Sequence, residues 1–410
     1  MINRPHPLRN ACRDILTACL ALILFAGNSL AFESFGDGDY CLYYHDSSSN
    51  ETPASYYNFA VSDHSTFFVN APLTTQYADI FSGSSLVVSS GFSAKRLYAG
   101  NILLCNGMLS ADELYLGYSV NDPYQSGSIT QTGGSYAVTN LNISNNAKAV
   151  FAGASTVRNI NLGWRIGTGG TLVLEKPLEA NSLHMYDNHT VVNAGWNDVR
   201  VRSLFIDGGQ FLREGRFDGP SPKVSAEDLS LIGVPFEIRS NDDIGVLSLS
   251  AGSHVTNYAT RVSELHIGGF FTTETSLEVT STNTWPTVSV GPSAILEAKG
   301  NISSLGSVYV AGEFRSGMLA APRLIVSGSQ ALVGGGFHVE ELRAIDGAVV
   351  SLTNGDRFRS RDQITDNVYV SSRATLSLEH SLLLNRNYFE SGRLSTIEVS
   401  DGSITGRGSE

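Results

Sequence analysis

Along most of the chain, apolar and polar positions alternate in short runs. Leu183-His184-Met185, Leu204-Phe205-Ile206, Leu229-Ser230-Leu231 and Leu247-Ser248-Leu249 share one form, apolar–variable–apolar. The form continues at Leu265-His266-Ile267, Val288-Ser289-Val290, Val308-Tyr309-Val310 and Leu324-Ile325-Val326. Earlier members stand at Leu97, Leu114, Leu141 and Ile160, and a later one at Val368. A period of two marks a strand with one buried side, and helical periodicity is almost absent. The runs recur about every 20 residues, a period that belongs to solenoids.

The runs are followed within three to five residues by a turn residue, usually glycine, as at Gly208, Gly233, Gly252, Gly268, Gly291, Gly312, Gly328 and Gly347. Glycine suits a corner because it reaches positive φ without steric cost. A second apolar stretch comes next, for example Phe211-Leu212, Ile295-Leu296 or Leu332-Val333. One unit therefore reads strand, Gly corner, strand, loop. A unit this small cannot bury its apolar residues alone, but stacked copies form continuous aliphatic columns. The expected fold is all-β: a single-stranded parallel β-solenoid over 84–400, with about fourteen coils. Tandem antiparallel sandwiches or a large barrel are the main rival, but the turns lack the regular hairpin spacing that those folds show.

The two ends differ from the repeat. Residues 1–31 read as a signal peptide: Arg4, Arg9 and Arg13, an apolar run from Ile15 to Gly27, then Ser29 and Ala31 before the cleavage point. That run is too short for the roughly 20 residues of a spanning helix, so no integral membrane segment is expected. Residues 32–83 hold six tyrosines and no repeat, which suits an N-terminal aromatic-rich cap over the first coil. Residues 401–410 read as a C-terminal tail. Of four cysteines, Cys41 and Cys105 remain after the signal, and export to an oxidising compartment favours a disulfide between them.

Composition narrows the function. Glycine outnumbers proline 41 to 12, and only 16% of residues are charged, which fits a turn-rich β-chain. The net charge of −12 and the scattered arginines give no electrostatic footprint for nucleic acid.

The export signal, the repeated LxV–Gly–xLxV units and the acidic Ser/Thr/Asn/Gly-rich composition resemble the passenger region of autotransporter-type and haemagglutinin-like bacterial surface proteins. The resemblance covers roughly 84–400 and is architectural. It implies a right-handed β-helix on the outer cell surface or beyond it, with the periplasm as the other expected compartment, used for adhesion. Unlike those proteins, the sequence shows no barrel-like segment after the repeat. A separate outer-membrane transporter is therefore an expected partner.

Candidate chemistry is sparse. Stacked in register, the middle residues of the repeat form a surface column containing Tyr115, Phe205, Tyr309 and Tyr369, with His184, His266 and Ile325. Aromatic groups on a rigid face suit a carbohydrate or a surface protein of a host or neighbouring cell. The densest carboxylates are Asp207, Asp228, Asp242 and Asp243, the set that a β-helix polysaccharide lyase or glycoside hydrolase would need. No nucleophile elbow, zinc helix or calcium loop occurs, so no catalytic residue, metal or cofactor is assigned. The sequence thus favours an adhesin or structural scaffold, with the carbohydrate-active enzyme as the alternative.

Overall fold

A computed structural model describes residues 40–43, 48–62, 64–118, 127–152, 154–163, 169–215, 221–282, 285–329, 331–353, 363–379, 382–383 and 396–407. The signal sequence expected over 1–31 lies outside them. Among the described residues there is no helix, and every strand pairing is parallel: the chain is a β-solenoid. Among the described residues no helix is long and apolar enough to cross a membrane.

Each coil has three faces, one more than the repeat suggests. In the strand Leu178–Met185 the chain runs along a first face at Leu178–Ala180, bends, and continues along a second face at Ser182–Met185. The third face follows at Thr190–Gly195. Further along, the first and second faces are separate strands, Leu277–Val279 and Val288–Val290, both stacked on the single strand Arg261–Ile267.

The second face carries the repeat. Its inward ladder runs Leu97, Leu114, Leu141, Ile160, Leu183, Leu204 and onward to Leu342 and Val368. All eight of these named residues are at most 3% exposed, and burying each aliphatic group contributes about 1.5–3 kcal/mol. That sum, rather than any one contact, is what holds successive coils together.

The glycine corners have two different causes. Gly208 has φ 96°, a conformation that side chains disfavour. Gly312 does not have positive φ. A Cβ there would come 2.3 Å from the Gly291 carbonyl oxygen of the coil before, so contact between coils requires glycine.

The boundaries move outward. Tyr40–Tyr43 pairs in parallel with Ala54–Val61, which pairs with the strand beginning at Leu73. The aromatic-rich segment therefore forms the first coils of the same solenoid, with Phe59 meeting Phe67 edge-on and Phe92 at a tilt in its interior. At the other end Ser403–Arg407 pairs with Thr375–Glu379, so the expected tail contains a third-face strand.

The expected Cys41–Cys105 disulfide is corrected. Cys105 is a free thiol. Cys41 stands beside Phe59, then Ala78, then Leu97, three coils below the one that leads into Cys105. Three strand spacings are about 14 Å, whereas a disulfide needs Cα atoms within about 7 Å.

Candidate functional site

The outward side of the second face is one column in register. From Tyr98 it passes through Tyr115, Asn142, Asn161 and His184 to Phe205. It continues by Ser230, Ser248, His266 and Ser289 to Tyr309, then Ile325, Arg343 and Tyr369. Tyr115, Phe205, Tyr309 and Tyr369 thus share one line along the rod.

Two aromatic clusters sit on this column. Tyr98 and Tyr115 stack at 5.0 Å with an interplanar angle of 17°, and Tyr118 leans on both. The Tyr115 hydroxyl donates to Glu113, which also pairs with Arg96 at 2.6 Å. Burial, then the Glu113 carboxylate, push the Tyr115 hydroxyl above its ordinary pKa. In the second cluster, His184, Tyr186 and Phe205 meet pairwise at 5.7–5.8 Å. His184 Nδ1 lies 2.9 Å from the Tyr186 hydroxyl, and burial holds the imidazole below its ordinary pKa.

Between the clusters runs an asparagine ladder. Asn161 donates to Asn142 at 3.0 Å, and Asn159 to Asn140 at 2.9 Å. Asn181 continues it, donating to Asn159 at 3.2 Å. Beside the ladder, at the corner with the first face, lies a trough of about 600 Å³ crossing four coils. Ser110, Ala137 and Thr156 make its shallow floor, and Asp112, Arg158 and Glu179 stand in it. Repeated carboxamides, small floor residues and nearby hydroxyls are suited to an extended polar ligand lying along the rod.

The four carboxylates do not converge. Asp207 is opposite Ile232 at the end of the second face, whereas Asp228 is opposite Ser203 at its start. Four residues of strand separate those positions, about 13 Å, beyond the roughly 5–9.5 Å of glycosidase pairs. Asp243 points outward on the first face, three residues before Val246, the partner of Asp228.

Asp242 has a structural task. Its side chain is fully buried and accepts from Arg213 Nη1 at 2.7 and 2.8 Å, from Val224 N–H at 2.8 Å and from Arg239 N–H at 2.8 Å. Burial pulls the Arg213 guanidinium below the usual arginine pKa, and Asp242 offsets part of that. The neighbouring third-face strands Gln210–Arg213 and Pro235–Ile238 share no ladder pairing. Side chains bridge them instead: Arg213 donates to the Glu237 carbonyl at 2.5 Å, and Arg239 to the carbonyls of Glu214 and Arg213 at 2.6 and 3.2 Å. Neither arginine was a sequence candidate, because the bridging partners lie 24–29 residues apart and no local pattern links them.

His266 touches Ser289 Oγ at 3.0 Å and Glu264 at 3.4 Å, a serine–histidine–carboxylate grouping. Ser289 lies in mid-strand with coils paired on both sides, so its neighbouring N–H groups are committed to the ladder and cannot hold an oxyanion. Among the described residues no three of His, Cys, Asp and Glu form a metal-binding group. Trp196 and Trp285, both over 60% exposed, also escape sequence reasoning because they fall outside the repeat. No known family, curated protein or solved structure matches the chain.

Proposed function

We propose that the chain is an exported adhesin or structural scaffold of the autotransporter-passenger type, acting at the cell surface or beyond it. In this reading a rigid rod presents the second face to an extended carbohydrate or to a protein on another cell. The observation that carries it is the unbroken outward column, with its asparagine ladder and two aromatic clusters beside the trough. The β-helix lyase or hydrolase remains the alternative, and the spread of Asp207, Asp228 and Asp243 weighs against it.

The test pairs two assays on the purified chain. Glycan and cell-surface binding are expected for the native sequence and lost in the Tyr115→Ala, Asn159→Ala double variant. Incubation with neutral and acidic polysaccharides is expected to release no new ends. Turnover of any polysaccharide at catalytic rates would overturn the reading, as would binding that the double variant leaves intact.

A further inference from the structure

The trough at the corner between the first and second faces contains an unpaired cation. At the bend between these faces, Asp112, Thr139 and Arg158 occupy equivalent places on successive coils. The residues on either side of them pair in register, Ala111 with Val138 and Val138 with Val157, then Glu113 with Asn140 and Asn140 with Asn159. Asn181 takes the next place, just before Ser182, the partner of Asn159. Arg158 is exposed there. From Ser48 to Ile345 every other described arginine pairs with a carboxylate of the chain, as Arg96 does with Glu113 and Arg200 with Glu179. Arg158 pairs with none. Asp112 also lacks an ion-pair partner among the described residues, and it stands two coils from Arg158, about 10 Å on the strand spacing.

The trough residues nearest Arg158 in register are uncharged and polar: Thr139 and Asn181 on the adjoining coils, and Thr156 on its own. Hydroxyls and carboxamides both donate and accept, as the hydroxyls of a sugar ring do. A planar guanidinium fork matches a planar carboxylate through two parallel N–H···O bonds. We infer, resting on the carbohydrate reading above, that the trough takes a partly acidic glycan of 1,4-linked pyranose rings. One ring places a carboxylate on Arg158, and a neutral ring, two further along, donates its hydroxyls to Asp112.

Spacing favours a glycan over an extended peptide. Coils recur about every 4.8 Å, and a 1,4-linked pyranose chain advances by about one such spacing per ring, so successive rings meet successive coils. A peptide strand rises about 3.3 Å per residue and turns alternate side chains away, so its groups fall out of step with the coils. Charge limits the acidity of the ligand. The chain carries a net charge of −12, which opposes general adsorption of polyanions and leaves capture to the local contact at Arg158. A glycan with a carboxylate on every ring would also set one against Asp112, and like charges there weaken binding. Glu179, the other carboxylate of the trough, is held by Arg200 at 3.2 Å.

Calorimetric titration of the full chain with oligogalacturonates of one length tests this, in free-acid, half-esterified and fully methyl-esterified forms. The half-esterified form is expected to bind about tenfold or more tighter than the fully esterified one, the gain of a charge-assisted pair. Arg158→Gln is expected to abolish that preference and leave the affinity for the esterified form unchanged, which also shows that the variant folds. Asp112→Asn is expected to strengthen binding of the free acid several-fold by removing like-charge repulsion. Lys148→Gln, on the third face, is expected to change none of these affinities. Equal native affinity for the half- and fully esterified forms overturns the inference, as does a preference that Arg158→Gln leaves in place. A free-acid affinity that Asp112→Asn does not raise overturns the neutral position at Asp112. If all three forms fail to bind while the glycan or cell-surface binding of the preceding test persists, this inference alone falls. If that binding is absent too, the carbohydrate reading falls with it.

Discussion

The second and third faces are built on the same coils and share one interior, yet they differ in continuity and in outward chemistry. The second face is stacked without a break through every described coil, and outside it carries hydroxyls, carboxamides and tyrosines. The third face loses its ladder at one junction, where two arginines and Asp242 make the bridging hydrogen bonds, and outside it mixes exposed apolar residues such as Phe68 and Leu332 with Lys148, Glu297 and the Glu313–Arg315 ion pair. The difference separates two tasks. Inward positions fix the coil, and any side chain tall enough to fill a column suffices. Outward positions are free of that demand, so each face can take a partner of its own chemistry.

The comparison breaks most sharply at the junction. Asp242→Ala leaves the Arg213 guanidinium buried without its anion and removes the acceptor for two backbone N–H groups. It is expected to cost about 3–5 kcal/mol, read as a drop in the denaturant midpoint. Hydrogen exchange should speed up in the third-face strands Gln210–Arg213 and Pro235–Ile238 before the second face responds. A loss under about 1 kcal/mol would mean that the junction does not depend on the clasp.

Gly312→Ala tests the corners that join the faces. Its Cβ meets two carbonyl oxygens of the preceding coil at 2.3 and 2.4 Å, so a cost of about 1–3 kcal/mol in thermal or urea unfolding is expected. Unchanged stability would show that the coils can separate locally at no cost.

The smallest effect is a pH dependence on the second face. Burial lowers the His184 pKa in the folded chain, so as pH falls below about 6.5 the unfolded chain takes up a proton that the folded chain resists. Stability should decline through that window, and His184→Gln should flatten the decline. An identical pH profile for the variant would remove His184 from the account.

The second face was legible in the sequence because Leu, Ile and Val recur at its inward positions with period two. The first face was not, since its inward side is short and its residues range from Tyr136 and Leu178 to Ala94 and Ala226, so no one residue type recurs there. Asp242 and Asp243 look like a pair in sequence, but Asp242 closes the turn from Arg239 and is sealed in the clasp, whereas Asp243 opens the following strand and faces solvent. The Cys41–Cys105 disulfide was inferred from cysteine number and compartment alone, which carry no information about height along the rod.

The central claim is that the second face is a single column of stacked coils. Distances between spin labels measure it directly. Label pairs at His184→Cys with His266→Cys, and at Phe205→Cys with Tyr309→Cys, would be placed in a background where the native cysteines are serine. Four and five strand spacings predict backbone separations of about 19 and 24 Å, rising by one strand spacing for each coil added. Separations that do not increase with coil number would contradict the stacked column and every outward surface built on it.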